Sequence, residues 1–273
     1  MTIRPAVLTV AVAGLAVFCG CQQPEERIRP PHAASPHPCR SCPAPVRSEA
    51  RTVTIGKSAE GRPIVLHLFG KSKDVTFIFA GIHGDEPTSR RVAERLIAYL
   101  KATPSAWHGR SVAVMPAVNP DGLARGTRQN ARGVDCNRNF PARNWSASRP
   151  GSRYYGGPSP LSEPETRAVA AVVECYKPRR IISIHSISGD RHCNNYDGPG
   201  EALARAMAEG NGYPPKASIG YPTPGSFGSW AGVDKGTPTV TLELPCDRPA
   251  SAVWSGNLKA LLAAIRRSDN LAR

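Results

Sequence analysis

Two residues that can bind a metal ion stand three positions apart in the segment of residues 80–87. His83 offers an imidazole nitrogen and Glu86 a carboxylate, and zinc accepts both kinds of ligand. The β-branched and aromatic run before them predicts a buried strand, and Pro87 suits the first turn of a helix. The pair therefore lies in a loop at the carboxyl end of a strand, where open α/β sheets bind ligands. Because this spacing also arises by chance, further residues of a site must be sought downstream.

Two more strand ends carry residues of the same kind. His185 follows a run of isoleucines, and Glu243 lies in an alternating strand on the face opposite its apolar side chains. Two histidines and one carboxylate would leave the fourth zinc position open for water, as in catalytic zinc sites. A further carboxylate must then move the proton of that water, and we expect Glu243 to do so. Taken singly, each residue has a structural alternative, since a strand-end His is most often structural and Glu243 could pair with an Arg.

Strands alternate with helices along the chain from residue 51. Strands are predicted near residues 53–55, 64–68, 75–80, 111–115, 181–184 and 239–244. Helices are predicted near residues 90–101, 162–176, 201–209 and 250–267. This alternation predicts a single three-layer α/β/α domain over residues 51–273, with a mixed, largely parallel central sheet. The long loop of residues 119–160 is expected to be functional, and no strand is predicted in residues 187–235.

The loop after the fourth strand carries three motifs in a row. They are Asn-Pro-Asp-Gly at 119–122, Thr-Arg-Gln-Asn at 127–130 and Gly-Val-Asp-Cys-Asn-Arg-Asn-Phe-Pro at 133–141. Together with the earlier His-x-x-Glu pair, the later strand-end His and the final Glu, they resemble the zinc carboxypeptidase family, the funnelin-like metallocarboxypeptidases. The resemblance covers residues 52 to about 265 and implies the fold, the metal and the peptidase activity of that family.

The resemblance also implies a role for each matching position. One zinc ion per chain would be bound by His83, Glu86 and His185, with Glu243 as the general acid/base. Arg128 would stabilise the oxyanion that forms on the scissile carbonyl, a contribution on the order of 10²–10³-fold for one such donor. Asn137 and Arg138 would hold the terminal carboxylate of the substrate, and Asp135 would orient a ligand His, which we expect to be His83. For both arginines the alternative is ordinary surface charge, in a chain with 35 basic residues.

Two features depart from the digestive members of the family. Those members place a substrate-capping Tyr on a mobile loop before the last strand; here Tyr221 is the candidate, with a packing role as the alternative. Cys193 and Cys246 follow His185 and Glu243 by eight and three residues, and in an exported protein a disulfide between them at the rim of the site is one candidate pairing. Nothing in the sequence fixes that pairing.

The amino terminus predicts export. Residues 1–20 combine Arg4 with an apolar run that is too short for a mature membrane anchor, as in a signal peptide. The run ends in Cys-Gly-Cys, which resembles a bacterial lipoprotein signal with Cys21 as the lipidated first residue; a plainly cleaved signal and an uncleaved anchor are the alternatives. Residues 22–50 contain seven prolines and no aromatic residue, which predicts a disordered tether. The Cys39–Cys42 pair within it is interpreted as a local disulfide or unpaired thiols.

The chain carries a formal net charge of +14. Such a charge favours anionic partners, yet no nucleic-acid-binding motif accompanies it, and an export signal makes nucleic acid an unlikely partner. We therefore expect a peptide substrate with a free terminal carboxylate, a periplasmic or membrane-tethered location and attraction to anionic wall polymers. The sequence is silent on the oligomeric state.

The substrate is predicted from a narrower resemblance. Gly-Val-Asp-Cys-Asn-Arg-Asn-Phe-Pro and the later Tyr-Pro-Thr-Pro-Gly-Ser-Phe-Gly-Ser-Trp are similar to the bacterial murein peptide amidase branch of the family. That branch cleaves the γ-D-glutamyl–diaminopimelate bond of cell-wall peptides, and residues 194–199 would line the pocket for the released residue. The alternatives are a carboxypeptidase that acts on ordinary peptides and a non-catalytic wall-binding lipoprotein.

Overall fold

The computed structural model describes residues 50–267, whose strands form one eight-stranded sheet. The strands are β1 (Ala50–Lys57), β2 (Pro63–Phe69), β3 (Val75–Ala80), β4 (Ser111–Met115), β5 (Arg180–Ile187), β6 (Cys193–Asp197), β7 (Pro215–Lys216) and β8 (Thr239–Pro245). Their order across the sheet is β1-β2-β4-β3-β5-β8-β6-β7. The four central strands run parallel, whereas β1, β2 and β6 each join an antiparallel pair. The sheet is therefore mixed with a parallel centre, as the sequence predicts.

Helices cover both faces of this sheet. They are α1 (Pro87–Ala102), α2 (Pro120–Arg125), α3 (Pro164–Tyr176), α4 (Glu201–Asn211) and α5 (Ala250–Arg266). Successive side chains of β3 enter different cores, because neighbouring residues of a strand point to opposite faces. Ile78 packs with α1, α4 and α5 on one face, and Phe77 and Phe79 pack with α3 on the other. The result is a single three-layer α/β domain.

The parallel centre of the sheet places the site. Four parallel strands end at the same edge, so the loops that follow them are brought together there. β3 is followed by the loop that carries His83, while His185 and Glu243 lie on adjacent parallel strands as direct Cα partners. This juxtaposition depends on the order of the strands, since the two residues are 58 positions apart in the chain.

Sequence patterns miss part of the sheet. The sequence predicts no strand in residues 187–235, yet β6 pairs along its whole length with β8. Its sequence, Cys-Asn-Asn-Tyr-Asp, lacks the β-branched residues that mark a strand, and the tertiary pairing overrides that weak preference. A π-helical segment, Gly228–Asp234, was also missed. Within residues 50–267 no helix has both the length and the apolar character needed to cross a membrane.

Candidate active site

Three predicted metal ligands converge at the carboxyl edge of the sheet. The ligand atoms of His83, Glu86 and His185 all lie within 4.8 Å of one another. His83 Nδ1 is 2.7 Å from one carboxylate oxygen of Glu86, and His185 Nδ1 is 3.2 Å from the other. The two Nδ1 atoms are themselves only 3.2 Å apart. Tertiary folding thus assembles the group that the sequence could only suggest.

A buried carboxylate sets the orientation of His83. Asp135 is fully buried, and its Oδ1 lies 3.1 Å from Nε2 of His83. An ionised carboxylate can only accept, so Nε2 carries a proton, and Nδ1, which faces Glu86, is the nitrogen that can bind a metal ion once it loses its own proton. Asp135 also accepts a bond from Nε of Arg128 at 2.9 Å. The predicted orienting residue therefore links the histidine to the predicted oxyanion arginine.

These charges shift one another's protonation. Burial alone would lower the pKa of His83, but the carboxylates of Glu86 and Asp135 outweigh it and raise this pKa to about 9. Burial would raise the pKa of Glu86, yet His83 and His185 hold it well below its usual range. A site with two imidazoles facing an ionised carboxylate is one that favours a bound cation.

Glu243 stands beside the cluster in the position expected of a proton carrier. It is 7% exposed, and the adjacent strands place it directly next to His185. Burial and the negative charge of Glu86 raise the pKa of Glu243, against the lowering effect of both histidines and Arg128. A carboxyl group with a raised pKa holds a proton more readily than an ordinary glutamate, which suits a group that must accept a proton and then donate it.

Arg138 is a buried cation without a carboxylate partner. Its side chain is 5% exposed and donates to the backbone oxygen of Asn137, and it forms no ion pair with an acid among residues 50–267. Burial, together with repulsion from Arg128, lowers its pKa despite the opposing effect of the negative charge of Asp135. The side chain of Asn137 accepts a bond from the backbone N–H of Phe227, which joins two loops of the site. An unpaired buried guanidinium is suited to bind an anionic group of a ligand.

A cavity of about 390 Å³ connects all of these groups. Tyr221 lines it and is 42% exposed, so this side chain is not packed in the core. Tyr154, which is not among the predicted site residues, also lines it, and the centre of its ring lies within 5.3 Å of the guanidinium carbons of both Arg128 and Arg138. No pattern marks Tyr154 in a loop rich in Gly and Arg. Only the fold brings its ring against the two arginines.

The predicted disulfide at the rim is not formed. Cys193 is a buried free cysteine and Cys246 an exposed one, whereas Cys175 is disulfide-bonded. Cys193 lies opposite Glu243, whereas Cys246 follows the last residue of β8, three residues or roughly 10 Å of extended chain beyond Glu243. The Cα atoms of a disulfide are at most about 7 Å apart, which that displacement exceeds. Burial and the nearby Glu243 raise the pKa of the Cys193 thiol to about 11, so it stays neutral.

The donor set fits zinc. Two imidazole nitrogens and one carboxylate are borderline ligands that zinc prefers, and they leave one position of a tetrahedron open. Two facing nitrogen lone pairs and a carboxylate repel one another unless a proton or a cation stands between them. Nε2 of His185 is buried without a partner among the described residues, in keeping with a ring held through its Nδ1.

The fold and the site define a metal-dependent hydrolase of the α/β class. The family model for zinc carboxypeptidases matches residues 46–193, and the chain belongs to the zinc carboxypeptidase family. It is 37% identical over 206 residues to murein peptide amidase A of Escherichia coli K12, which covers 70% of this chain and 79% of the relative. The amidase of the same name from Vibrio campbellii is 30% identical over 234 residues, with 79% of this chain and 88% of the relative covered.

Solved structures agree with this assignment. The crystal structure of murein-tripeptide amidase from Escherichia coli O157 superposes with a TM-score of 0.63 and 30% identity, over 80% of this chain and 93% of that one. Bovine thrombin-activatable fibrinolysis inhibitor shares the fold with a TM-score of 0.69 at 23% identity, over 80% of this chain and 88% of that one. This chain is therefore a peptide hydrolase, and its family implies zinc. A non-catalytic wall-binding lipoprotein is no longer a tenable alternative.

Proposed function

We propose that this protein cleaves the γ-D-glutamyl–diaminopimelate bond of murein peptides. The observation that carries the proposal is the assembly of His83, Glu86, His185 and Glu243 around one cavity that also exposes an unpaired Arg138. Relatives at 37% and 30% identity are murein peptide amidases, which favours this substrate over an ordinary peptide. A metallocarboxypeptidase that releases residues from linear L-peptides is the second candidate, since the pocket for a terminal carboxylate would serve both.

The protein groups divide the reaction between them. One zinc ion, when bound, would polarise the scissile carbonyl and lower the pKa of the attacking water. Glu243 would take the proton that the water loses and deliver it to the leaving nitrogen as the C–N bond breaks. Arg128, held by Asp135 through its Nε, would offer its guanidinium to the negative charge that develops on the carbonyl oxygen.

Substrate orientation would come from the far end of the released residue. Arg138, with Asn137 beside it, would bind the terminal carboxylate through charge-assisted hydrogen bonds. The substrate would thereby supply the acidic partner that Arg138 does not have among residues 50–267. Tyr221 lines the same cavity and would cover the bound residue. Holding the carboxylate fixes which bond lies over Glu243, so the enzyme would release one residue at a time.

The test offers the purified protein a murein tripeptide and a linear L-peptide and identifies the products by mass. Release of diaminopimelate from the first alone would support the amidase, whereas release of a residue from the second alone would select the carboxypeptidase. Glu243→Gln should keep its zinc and lose on the order of 10²–10⁴-fold in turnover. Glu209→Gln, an exposed change on α4, serves as the matched control. Full activity of Glu243→Gln would overturn the proposed proton transfer.

Export through residues 1–20 and lipidation of Cys21 also remain proposals, because these residues, the tether and the Cys39–Cys42 pair lie outside the described residues. An exported, membrane-held enzyme would stand close to murein. Labelling with a fatty acid in a bacterial host should mark the native chain and leave Cys21→Ser unlabelled. An unlabelled native chain that has lost its signal peptide would instead indicate a plainly cleaved signal, and an unlabelled chain of full length would indicate an uncleaved anchor.

A further inference from the structure

Exposed basic side chains gather at the edge of the sheet opposite the metal ligands. The parallel strands β3, β4, β5 and β8 all begin at this amino edge, and the helices that follow β3 and β8 end there. Six residues in the turns of this edge are basic and exposed, and together they form the basic edge. They are Lys71 and Lys73 before β3, Lys101 at the end of α1, Lys177 and Arg179 between α3 and β5, and Arg266 at the end of α5.

Contacts between the turns hold the basic edge together. The backbone N–H of Arg179 donates to the carbonyl oxygen of Val75 at 2.9 Å, which joins the turn before β5 to the start of β3. The guanidinium of Arg110, in the turn before β4, donates to the backbone oxygen of Arg267 at 2.9 Å. The end of α5 therefore lies against the same edge, and the six cations share one side of the domain.

The positive charge of the basic edge is not neutralised by the protein. None of its six side chains forms an ion pair with an acid within residues 50–267. The acids of the neighbouring turns are already paired, Asp74 with Arg110 and Arg180, and Glu174 with Lys235. Unpaired like charges on one surface repel one another and attract an anionic partner.

The amino-terminal part of the chain joins the domain at this same edge. β1 is antiparallel to β2, and β2 is antiparallel to β4, so β1 runs in the direction of the central strands. Ala50 pairs with Phe69, and Phe69 pairs with Val112 near the start of β4. Residues 22–49, between Cys21 and β1, would span about 30 Å as a random chain. A lipid on Cys21 would therefore hold the basic edge close to the bilayer.

We propose that the basic edge binds the headgroups of acidic phospholipids, so that the domain lies on the bilayer with its cavity directed away from it. This inference rests on the proposed lipidation of Cys21 and not on the choice of substrate. The cations are spread over several turns rather than along a groove, which suits a surface of many headgroups better than a single polymer chain.

Distance along the strands separates this surface from the catalytic groups. From Arg180 at the start of β5 to His185 the chain rises about 17 Å. The attraction of a charged surface falls off within a Debye length of about 8 Å at physiological ionic strength. Headgroups bound at the basic edge would thus leave the cavity open to substrate. Each Lys or Arg close to an acidic bilayer strengthens binding by about fivefold.

The experiment measures lysine acetylation of the native, full-length chain by mass spectrometry in the presence of vesicles. The vesicles contain phosphatidylcholine alone or phosphatidylcholine mixed with phosphatidylglycerol. On the mixed vesicles the four lysines of the basic edge should react at least about fivefold more slowly, and high salt should remove this protection. Lys57 and Lys216, which are exposed away from that edge, should react equally on both kinds of vesicle.

Two triple variants of equal charge provide the comparison. Replacing Lys71, Lys73 and Lys177 by Gln should restore the reactivity of Lys101 on mixed vesicles. Replacing Lys57, Lys216 and Lys259 by Gln, all exposed outside the basic edge, should keep Lys101 protected. Both variants should keep the native denaturant midpoint, since every change is at the surface.

Flotation with phosphatidylcholine vesicles tests the lipid anchor separately, because an acyl chain inserts without regard to headgroup charge. A chain that floats with these vesicles but shows no protection on mixed vesicles would overturn the basic edge and leave the lipidation of Cys21 intact. Equal protection of all exposed lysines, or equal loss of protection in both triple variants, would also overturn it. Protection by soluble polyphosphate as strong as that by mixed vesicles, at the same phosphate concentration, would refute a bilayer as the partner.

Discussion

Replacing Asp135 by Asn tests whether this buried acid orients His83 towards the metal. Oδ1 of Asp135 accepts from Nε2 of His83 and from the backbone N–H of Asn137, while Oδ2 accepts from Nε of Arg128. Asparagine has one oxygen and one NH₂ group in the same volume. If the oxygen keeps the first two bonds, the NH₂ group faces the N–H of Arg128, donor against donor, and the guanidinium loses its ion pair.

Two effects of known size follow from that change. Loss of one partner of a buried ion pair lowers the free energy of unfolding by about 3–5 kcal/mol, and the 11% exposure of Arg128 puts the expected value at the lower end. Loss of a carboxylate that orients a ligand His weakens metal binding by about 10–100-fold. Zinc affinity is measured by competition with a chelator, and stability by denaturant unfolding of the zinc-free protein.

Asp121→Asn provides the matched control. Asp121 is also fully buried and paired with an arginine, Arg62, but it touches none of the three proposed ligands. This variant should lose stability and keep its zinc affinity within a few fold. Equal zinc affinities of the two variants would refute the orienting role of Asp135. A loss in Asp135→Asn as complete as that in His83→Ala would refute it in another way, because Asp135 would then be a ligand itself.

Further predictions concern the metal, the anion site, the pocket and the first loop. His83→Ala should abolish stoichiometric zinc in metal analysis, and near-native zinc content would contradict the proposed ligand set. Arg138→Met should lower kcat/KM about 10–100-fold for peptides with a free terminal carboxylate and raise stability, because it removes a buried cation without an acidic partner; an equal rate loss on amidated peptides would contradict this. Folding raises the pKa of Asp197 from 3.8 to about 6. The ionised carboxylate therefore lowers the free energy of unfolding, fully above pH 6 and not at all below pH 4. Asp197→Asn should therefore raise the free energy of unfolding at pH 8 by up to about 3 kcal/mol, with no gain at pH 4, and a gain that is independent of pH would refute the buried charge as its cause. Gly84→Ala should lower the free energy of unfolding by about 1–3 kcal/mol, since the new Cβ would overlap the backbone of Gly122. An unchanged denaturant midpoint would contradict that packing.

Local patterns were enough to predict the parallel centre of the sheet and the residues that could bind metal. The apolar runs of β3 and β5 are buried on both faces for most of their length, and β8 alternates apolar with polar residues; both patterns carry a strong strand signal. His83, His185 and Glu243 stand at the ends of those runs, so their place at one edge follows from parallel strands. Their chemical roles came from the order of motifs along the chain, which no periodicity could supply.

The tertiary structure decided everything that depends on non-local contacts. The strand β6 has little intrinsic preference for its conformation, and only its pairing with β8 creates the cavity wall that carries Asp197. The expected bond between Cys193 and Cys246 failed for the same reason, because the register sets their separation and the sequence spacing does not. Tyr154 is a third example. No sequence pattern marks this residue, and long-range folding alone places its ring against the two arginines. The sequence by itself determined which chemistry is available, and the register and order of the strands determined where each group meets the substrate.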